Sequence, residues 1–207
     1  MNVSSSDGIL RFEFDEDLLH TIEDALGSMK SESRRVLKNA VNDTARDAKK
    51  DLAKKAQETY AVKQGRFTKA MKTQNATESS LTATINVTGE QLELKDFKVS
   101  PATYRTGQDK PDVLKAKVLL SSEMKPLRGR TKAFLVTFTN HSKSGGTSTH
   151  STIAQRKGKA RYPIKKLLSN SIPVMIGNED KVYGVVEPDI YSNLMDNILK
   201  EIKRVTR

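Results

Sequence analysis

The chain reads as an α+β domain. Long N-terminal helices pack on a central antiparallel β-sheet with a long basic hairpin, and a C-terminal amphipathic helix follows. Three observations predict this arrangement. Residues Ser33 to about Tyr60 contain neither Pro nor Gly and repeat apolar side chains at helical spacing. Residues from about Leu81 to Ile176 fall into short runs that alternate apolar and polar positions between turn formers. Near the C-terminus, Ile190, Leu194, Ile198 and Ile202 recur every four residues. Helices at both ends around a β region make an α+β order, and 207 residues suffice for one domain with a buried core.

Residues 1–14 read as a flexible arm, Met1 to Gly8, followed by a short strand, Ile9 to Phe14 (ILRFEF). The domain is then 15–207, with helices over 15–72, the β region over 81–176 and the last helix over 188–206. Asp15 caps the first helix, acids fill its first turn, and Leu18, Leu19, Ile22, Ala25, Leu26 and Met29 line one face. The second helix buries Val36, Leu37, Ala40, Val41, Thr44, Ala45, Ala48, Leu52 and Ala56, and its small Ala40, Thr44 and Ala48 let another backbone come close. Its other side sets Asp43, Asp47 and Asp51 beside Arg46, Lys50 and Lys54, which reads as a solvated face of weak i,i+3 pairs. A third helix is expected from Val62 to Lys72, and a strand from Leu81 to Val87.

Beyond a turn-rich segment at Pro101 to Pro111, Leu114, Ala116, Val118 and Leu120 face one way while Lys115 and Lys117 face the other. Phe134, Val136 and Phe138 repeat that pattern, which places both phenylalanines in the core. Asn140 to Thr152 (NHSKSGGTSTHST) reads as a mobile loop bridging two strands of the hairpin. Pro188 suits the first position of the last helix, where Tyr191, Met195 and Leu199 join the isoleucines.

Charge is unevenly distributed. The net charge is +11, yet from Met124 to Lys166 there is no Asp or Glu and there are eleven bases: Lys125, Arg128, Arg130, Lys132, Lys143, Arg156, Lys157, Lys159, Arg161, Lys165 and Lys166. Removing them leaves as many bases as acids, 25 of each, so the entire excess sits in one stretch. The N-terminal helix leans the other way, with Asp15, Glu16, Asp17, Glu23 and Asp24. Such polarity points to a surface that meets an acidic partner, protein or nucleic acid.

Several chemistries are excluded. Without Cys there is no disulfide, thiolate metal site or cysteine nucleophile. No apolar run approaches the ~18 residues of a membrane helix, and the start MNVSSSDG has no signal-peptide pattern. GxxxxGK[ST], GxGxxG and GxSxG are missing, His141 and His150 are nine residues apart, and His20 stands alone on the first helix. No enzymatic activity, cofactor or metal is expected. Base readout is not indicated, because aromatic residues are 5% of the chain and Trp is absent, leaving no stacking platforms.

From Arg156 to Ile176 the chain reads RKGKARYPIKKLLSNSIPVMI. This resembles the C-terminal signature of phage minor tail protein Z and the related tail-completion or head-tail joining proteins. The resemblance rests on Arg161-Tyr162-Pro163-Ile164, then on Ser171-Ile172-Pro173-Val174-Met175, where Pro163 and Pro173 are expected to end strands and turn the chain. Upstream, an Ala-rich helix with Asn42 and Ala45, the turn Tyr60-Ala61-Val62-Lys63 and INVTGEQLELKDF at Ile85 to Phe97 keep the same order, so that most of Ser33 to Arg207 is covered. The Thr103 to Asp112 insert and the acidic helix have no counterpart in it.

The resemblance implies a structural virion protein of a long-tailed phage or prophage, made in the bacterial host cytoplasm and acting in tail completion or head-tail joining. Its partners would be other tail or neck proteins and further copies in a homo-oligomeric ring. On this reading the partner-binding patch is Lys125, Arg128, Arg130, Lys132, Arg156, Lys157, Lys159, Arg161, Lys165 and Lys166. Arg161, Pro163, Ile164, Ser171, Ile172, Pro173 and Met175 are structural motif residues. The basic stretch leaves non-specific contact with phage DNA open, and with it the alternative of a DNA-binding or packaging accessory protein.

Overall fold

The computed structural model describes residues 2–6, 9–13, 16–63, 65–103, 111–129, 131–141 and 145–206, with only the backbone path described for 2–6, 11–13, 16–19, 25 and 28–30. The described residues fall into two compact units. One comprises Met1–Ala56, Gly65–Gly89 and Ile172–Arg207, and the other Gln57–Gln64 and Glu90–Ser171.

The first unit holds α1 (Glu16–Leu26), most of α2 (Ser33–Thr59), α3 (Arg66–Ala70), α4 (Ile172–Ile176), α5 (Tyr183–Val205) and a four-stranded antiparallel sheet of order β1-β2-β4-β3. Its strands are β1 (Asn2–Ser6), β2 (Ile9–Glu13), β3 (Met71–Gln74) and β4 (Ala83–Val87). The expected stripe of α2 is buried along its length: Val36, Leu37, Ala40, Val41, Thr44, Ala45, Ala48, Leu52 and Ala56. Ile22 and Leu26 of α1, Val36, Leu37 and Ala40 of α2, and Leu194 and Ile198 of α5 form one apolar cluster. The small-residue stripe of α2 receives α5. Asn197 Nδ2 donates to Thr44 Oγ1 at 3.1 Å, and Asn39 Nδ2 donates to the buried Glu201 carboxylate at 2.9 Å. The charged side of α2 is solvated as expected, with Arg46 on Asp43 and Lys50 on Asp47.

The second unit is built on β9 (Ala133–His141) and β10 (Thr147–Arg156), paired in register from Thr147↔His141 to Gln155↔Ala133. The strand β11 (Ile164–Lys166) lies on the other edge of β10. Beside this sheet stand the pair β5 (Gln91–Glu93) and β12 (Leu168–Ser171), and a three-stranded sheet of β6 (Lys98–Ser100), β7 (Lys115–Lys117) and β8 (Lys125–Pro126).

The α+β class holds, but several expected details change. The single central sheet is four small sheets, because short strands separated by frequent turns cannot run a ladder across the unit. The arm at residues 1–8 is a strand over Asn2–Ser6, whose backbone groups are satisfied by β2 in register Asn2↔Glu13 to Ser6↔Ile9. The third helix covers only Arg66–Ala70. Gly65, in the left-handed region at φ 80°, precedes it, and Met71–Gln74 leaves it to pair with β4. The β region stops at Ser171, after which Ile172–Ile176 is helical with Pro173 in its first turn, where a missing N–H costs nothing. Pro173 therefore helps start a helix rather than end a strand.

The expected Asn140–Thr152 loop is mostly ladder, since β9 runs to His141 and β10 starts at Thr147. Ser and Thr pair well across strands, as Thr137 and Ser151 show with hydroxyls 3.0 Å apart. Residues 142–144 of that loop lie outside the described residues. The last helix begins at Tyr183, so Pro188 lies inside it; the burial of Tyr183 and Val186 extends the helix ahead of the proline. Phe138 is 40% exposed and Phe134 half-buried, because the core row of this hairpin is Thr152, Ile153 and Ala154 of β10 with Ala133. Val118 is likewise half-buried and Leu120 exposed, since β7 ends at Lys117.

Glu93 ties the second unit together. Its carboxylate, 16% exposed, accepts from Lys166 Nζ at 3.0 Å and from His150 Nε2 at 3.1 Å, and Lys95 Nζ lies 3.7 Å away. Burial of the carboxyl raises its pKa, but the Thr152 hydroxyl, Lys166 and His150 favour the charged form more strongly and bring it down to about 2 from 4.5.

Two outcomes follow from this packing. Leu52→Asp places an unpaired carboxylate at a fully buried position and should cost at least about 3 kcal/mol, lowering Tm by about 10 °C in a thermal melt, whereas Lys54→Gln on the solvated face should change stability by less than about 0.5 kcal/mol. The depressed pKa of Glu93 means that its stabilisation is complete above about pH 4.5 and fades as the pH falls toward 2. In urea unfolding, Glu93→Gln should be clearly less stable than the parent at pH 6, and the difference should shrink steadily between pH 4.5 and 2.

Candidate assembly surface

The root of the β9–β10 hairpin gathers the bases. Leu127, next after β8, donates its N–H to Leu114 O at 2.7 Å, and Thr131 docks on the end of β10. There the Gln155 side-chain amide donates to Thr131 O, and Thr131 Oγ1 donates to Arg156 O at 2.6 Å. A Cβ on Gly129 would stand 2.6 Å from Gln155 Nε2, so a side chain there would displace the Gln155 amide. Arg128 and Lys132, both exposed, flank Gly129 and Thr131 in sequence. Lys132 has Asp112 at 3.8 Å in a fully exposed pair, which is weak. Arg130 lies outside the described residues.

The turn from β10 to β11 continues the cluster. Lys157 N–H donates to Pro163 O at 3.1 Å, and one Arg156 terminal N–H group donates to Ala160 O at 3.3 Å, which closes the turn. Arg156 also lies over the Phe134 ring, 5.5 Å from its centroid, and Arg161 over the ring of Tyr162 at 5.8 Å. Lys157, Lys159 and Arg161 are exposed, and Tyr162, followed by a cis peptide to Pro163, is 67% exposed. Arg128, Lys157, Lys159 and Arg161 pair with no described acid. The long hairpin itself is not basic: its two strands hold Arg156 as their single Lys or Arg, and the charge lies at its root and in the next turn.

The strand register divides the remaining bases. Lys165 pairs across from Gln155 and shares its face, whereas the adjacent Lys166 points the other way and is neutralised by Glu93. The acid-free stretch is thus compensated at that point by a carboxylate from outside it. Lys125 is exposed on β8 across from Ala116, with no described contact to the root. The motif residues divide as well. Ile164 pairs with Arg156 at the base of the turn. Ser171 ends β12, and Ile172 and Met175 are buried in the first unit, where a Cβ on Gly89 would meet Ile172 and Pro173 at 3.7 Å.

Other polar residues are dispersed. His141 ends β9 and is exposed, while His150 joins Glu93 and Lys95; register sets them opposite Thr147 and Phe138 respectively, not together. His20 is 3.6 Å from Glu23. Among the described residues no group of three or more His, Asp or Glu is arranged to hold a metal ion, and no helix is long and apolar enough to cross a membrane. Asp15 and the side chains of Glu16 and Asp17 lie outside the described residues, as does 104–110 of the insert. Sequence reading named Tyr162 only as part of the Arg161–Ile164 element, because its exposed place in a tight basic turn depends on the β10–β11 register. It set Lys115 and Lys117 on one face, but only the pairing of β6 with β7 brings Lys98 onto that face with them.

Comparison with curated proteins and comparison with solved structures each returned no match. The family described as prophage minor tail protein Z (GPZ) matches residues 19–207, which includes every motif element placed above and nearly the whole chain. The chain belongs to the prophage minor tail protein Z family, and is a structural component of a phage tail.

Proposed function

We propose that this tail protein acts in tail completion or head-tail joining, as one subunit of a homo-oligomeric ring at the tail end that meets the head. The observation that carries this reading is the basic root of the hairpin. Arg128, Arg156, Lys157, Lys159 and Arg161 come from two chain segments locked together by Gln155 and Thr131, and none of the five has a described acid partner. Holding like charges at one end of a rigid ladder costs self-repulsion, which an opposing acidic surface would offset. Exposed Tyr162 and Arg161 add the two residue types that most often anchor a protein interface. A neighbouring copy supplies a suitable surface in its acidic residues Asp15, Glu16, Asp17, Glu23 and Asp24, and a head-to-tail contact of that kind closes a ring.

This role needs no catalytic residue, cofactor or metal. Phage deleted for the protein should yield full heads and separate tails with almost no infectious particles, as seen by electron microscopy and plaque count; normal yield would refute the role. Reversing Arg156, Lys157 and Lys159 to Glu should block joining while the purified protein still melts normally. Reversing Asp15, Glu16 and Asp17 to Lys in the same chain should restore part of the yield. A block without rescue would assign the root to a different acidic tail or neck protein, and full yield from the first triple would remove the root from assembly. Replacing both His141 and His150 by Ala should leave yield within about two-fold once stability is matched, since they share no site.

A further inference from the structure

A second basic surface lies on the β6–β7 sheet, separate from the hairpin root. The register Lys98↔Lys117 and Ser100↔Lys115 sets two lysines directly opposite each other and a third two residues along on the same face. The other face carries the Val99–Ala116 pair, of which Ala116 is buried and Val99 half-buried, with Lys125 exposed across from Ala116. Lys98 and Lys115 are exposed, and Lys117 is half-buried with its ammonium donating to Leu120 O at 2.8 Å. None of the three pairs with a described acid. Direct cross-strand juxtaposition of like charges destabilises an antiparallel pair, and a local rule broken with no described acid to offset it, the Lys117 bond to a backbone carbonyl leaving its charge in place, marks a surface kept for something outside the fold.

We infer that the Lys98, Lys115 and Lys117 face of this sheet binds the phosphate backbone of double-stranded nucleic acid without reading sequence. The occupant follows from the chemistry of the face. Lys is depleted at protein interfaces, which need aromatic or Arg anchors, and this face offers only three ammoniums and Ser100. Single-stranded nucleic acid needs stacking platforms, and there are none here. An array of point charges about 6.6 Å apart along a strand is what a duplex backbone requires for counterion release, and it carries no sequence information. This proposal does not depend on the ring or on the hairpin root.

The test uses the full-length protein and a 30-base-pair duplex of arbitrary sequence in a fluorescence-anisotropy titration at several salt concentrations. Three phosphate contacts give a slope of about −2.7 in log affinity against log salt, or about a 40-fold loss between 50 and 200 mM through this face. Lys98→Gln, Lys115→Gln and Lys117→Gln together should abolish that part of the slope, while Arg156→Gln, Lys157→Gln and Lys159→Gln should leave affinity within about three-fold. Lys98→Glu is the decisive single change. By giving Lys117 an opposite charge across the ladder it should raise or preserve Tm, yet weaken duplex binding at least about ten-fold, so that misfolding cannot account for the loss. Absence of duplex binding at 50 mM salt, binding lost only in the root triple, or unchanged affinity in Lys98→Glu would each overturn the inference. Loss of particle assembly in the sheet triple without any duplex binding would overturn it in favour of a protein partner.

Discussion

Strand β10 is the element on which the second unit depends, because it must satisfy hydrogen bonds on both edges and burial on both faces within ten residues. Its edges are taken by β9 and β11, and its middle, Thr152 to Ala154, is fully buried. Its two ends have different neighbours. At the outer end His150 meets Glu93 and Lys95, and at the root Gln155 and Arg156 hold Thr131. Every base assigned to the assembly surface except Lys125 and the undescribed Arg130 has its position set by this strand. A paired strand fixes the backbone from which these bases project, so that binding has to order their side chains and not the chain that carries them.

Glu93 shows why charge bookkeeping along the chain gives only part of the answer. The acid-free stretch of 43 residues from Met124 to Lys166 looks uncompensated in sequence. In the fold one carboxylate from β5 reaches Lys166, and Asp112 stands near Lys132. Arg128, Arg156, Lys157, Lys159 and Arg161 at the hairpin root, with Lys125 and Lys165, keep no described acid partner, and the proposed assembly contact is confined to the root set. The lysines of β6 and β7 illustrate the converse: they lie outside the stretch, yet pairing puts them side by side.

The first unit is organised by the second helix. Its apolar stripe needs cover along most of 27 residues, and α1, α5 and the segment around Ala76 supply it. The match to the minor tail protein Z family, residues 19–207, takes in residues of both units. The motif of Ser171 to Met175, read as a strand end, is instead a short helix whose Ile172 and Met175 fill this unit's interior.

The sequence alone determined the features that rest on local periodicity and composition. The bounds of α2, its buried face, the α+β class, the alternation of β4 and the location of the charge excess were all legible, since a 3.6- or 2-residue repeat is carried by the side chains themselves. The tertiary structure decided everything that depends on which strands meet. Four sheets replaced one because strand partners are not encoded in the spacing of any single strand. Asn2–Ser6 became a strand because β2 offered an edge, Met71–Gln74 left its helix for β4, and Pro188 was taken inside α5 because Tyr183 and Val186 are buried. The candidate site divides the same way: the sequence named most of its bases, and long-range pairing chose which of them stand together, because only cross-strand register fixes the face that each side chain occupies.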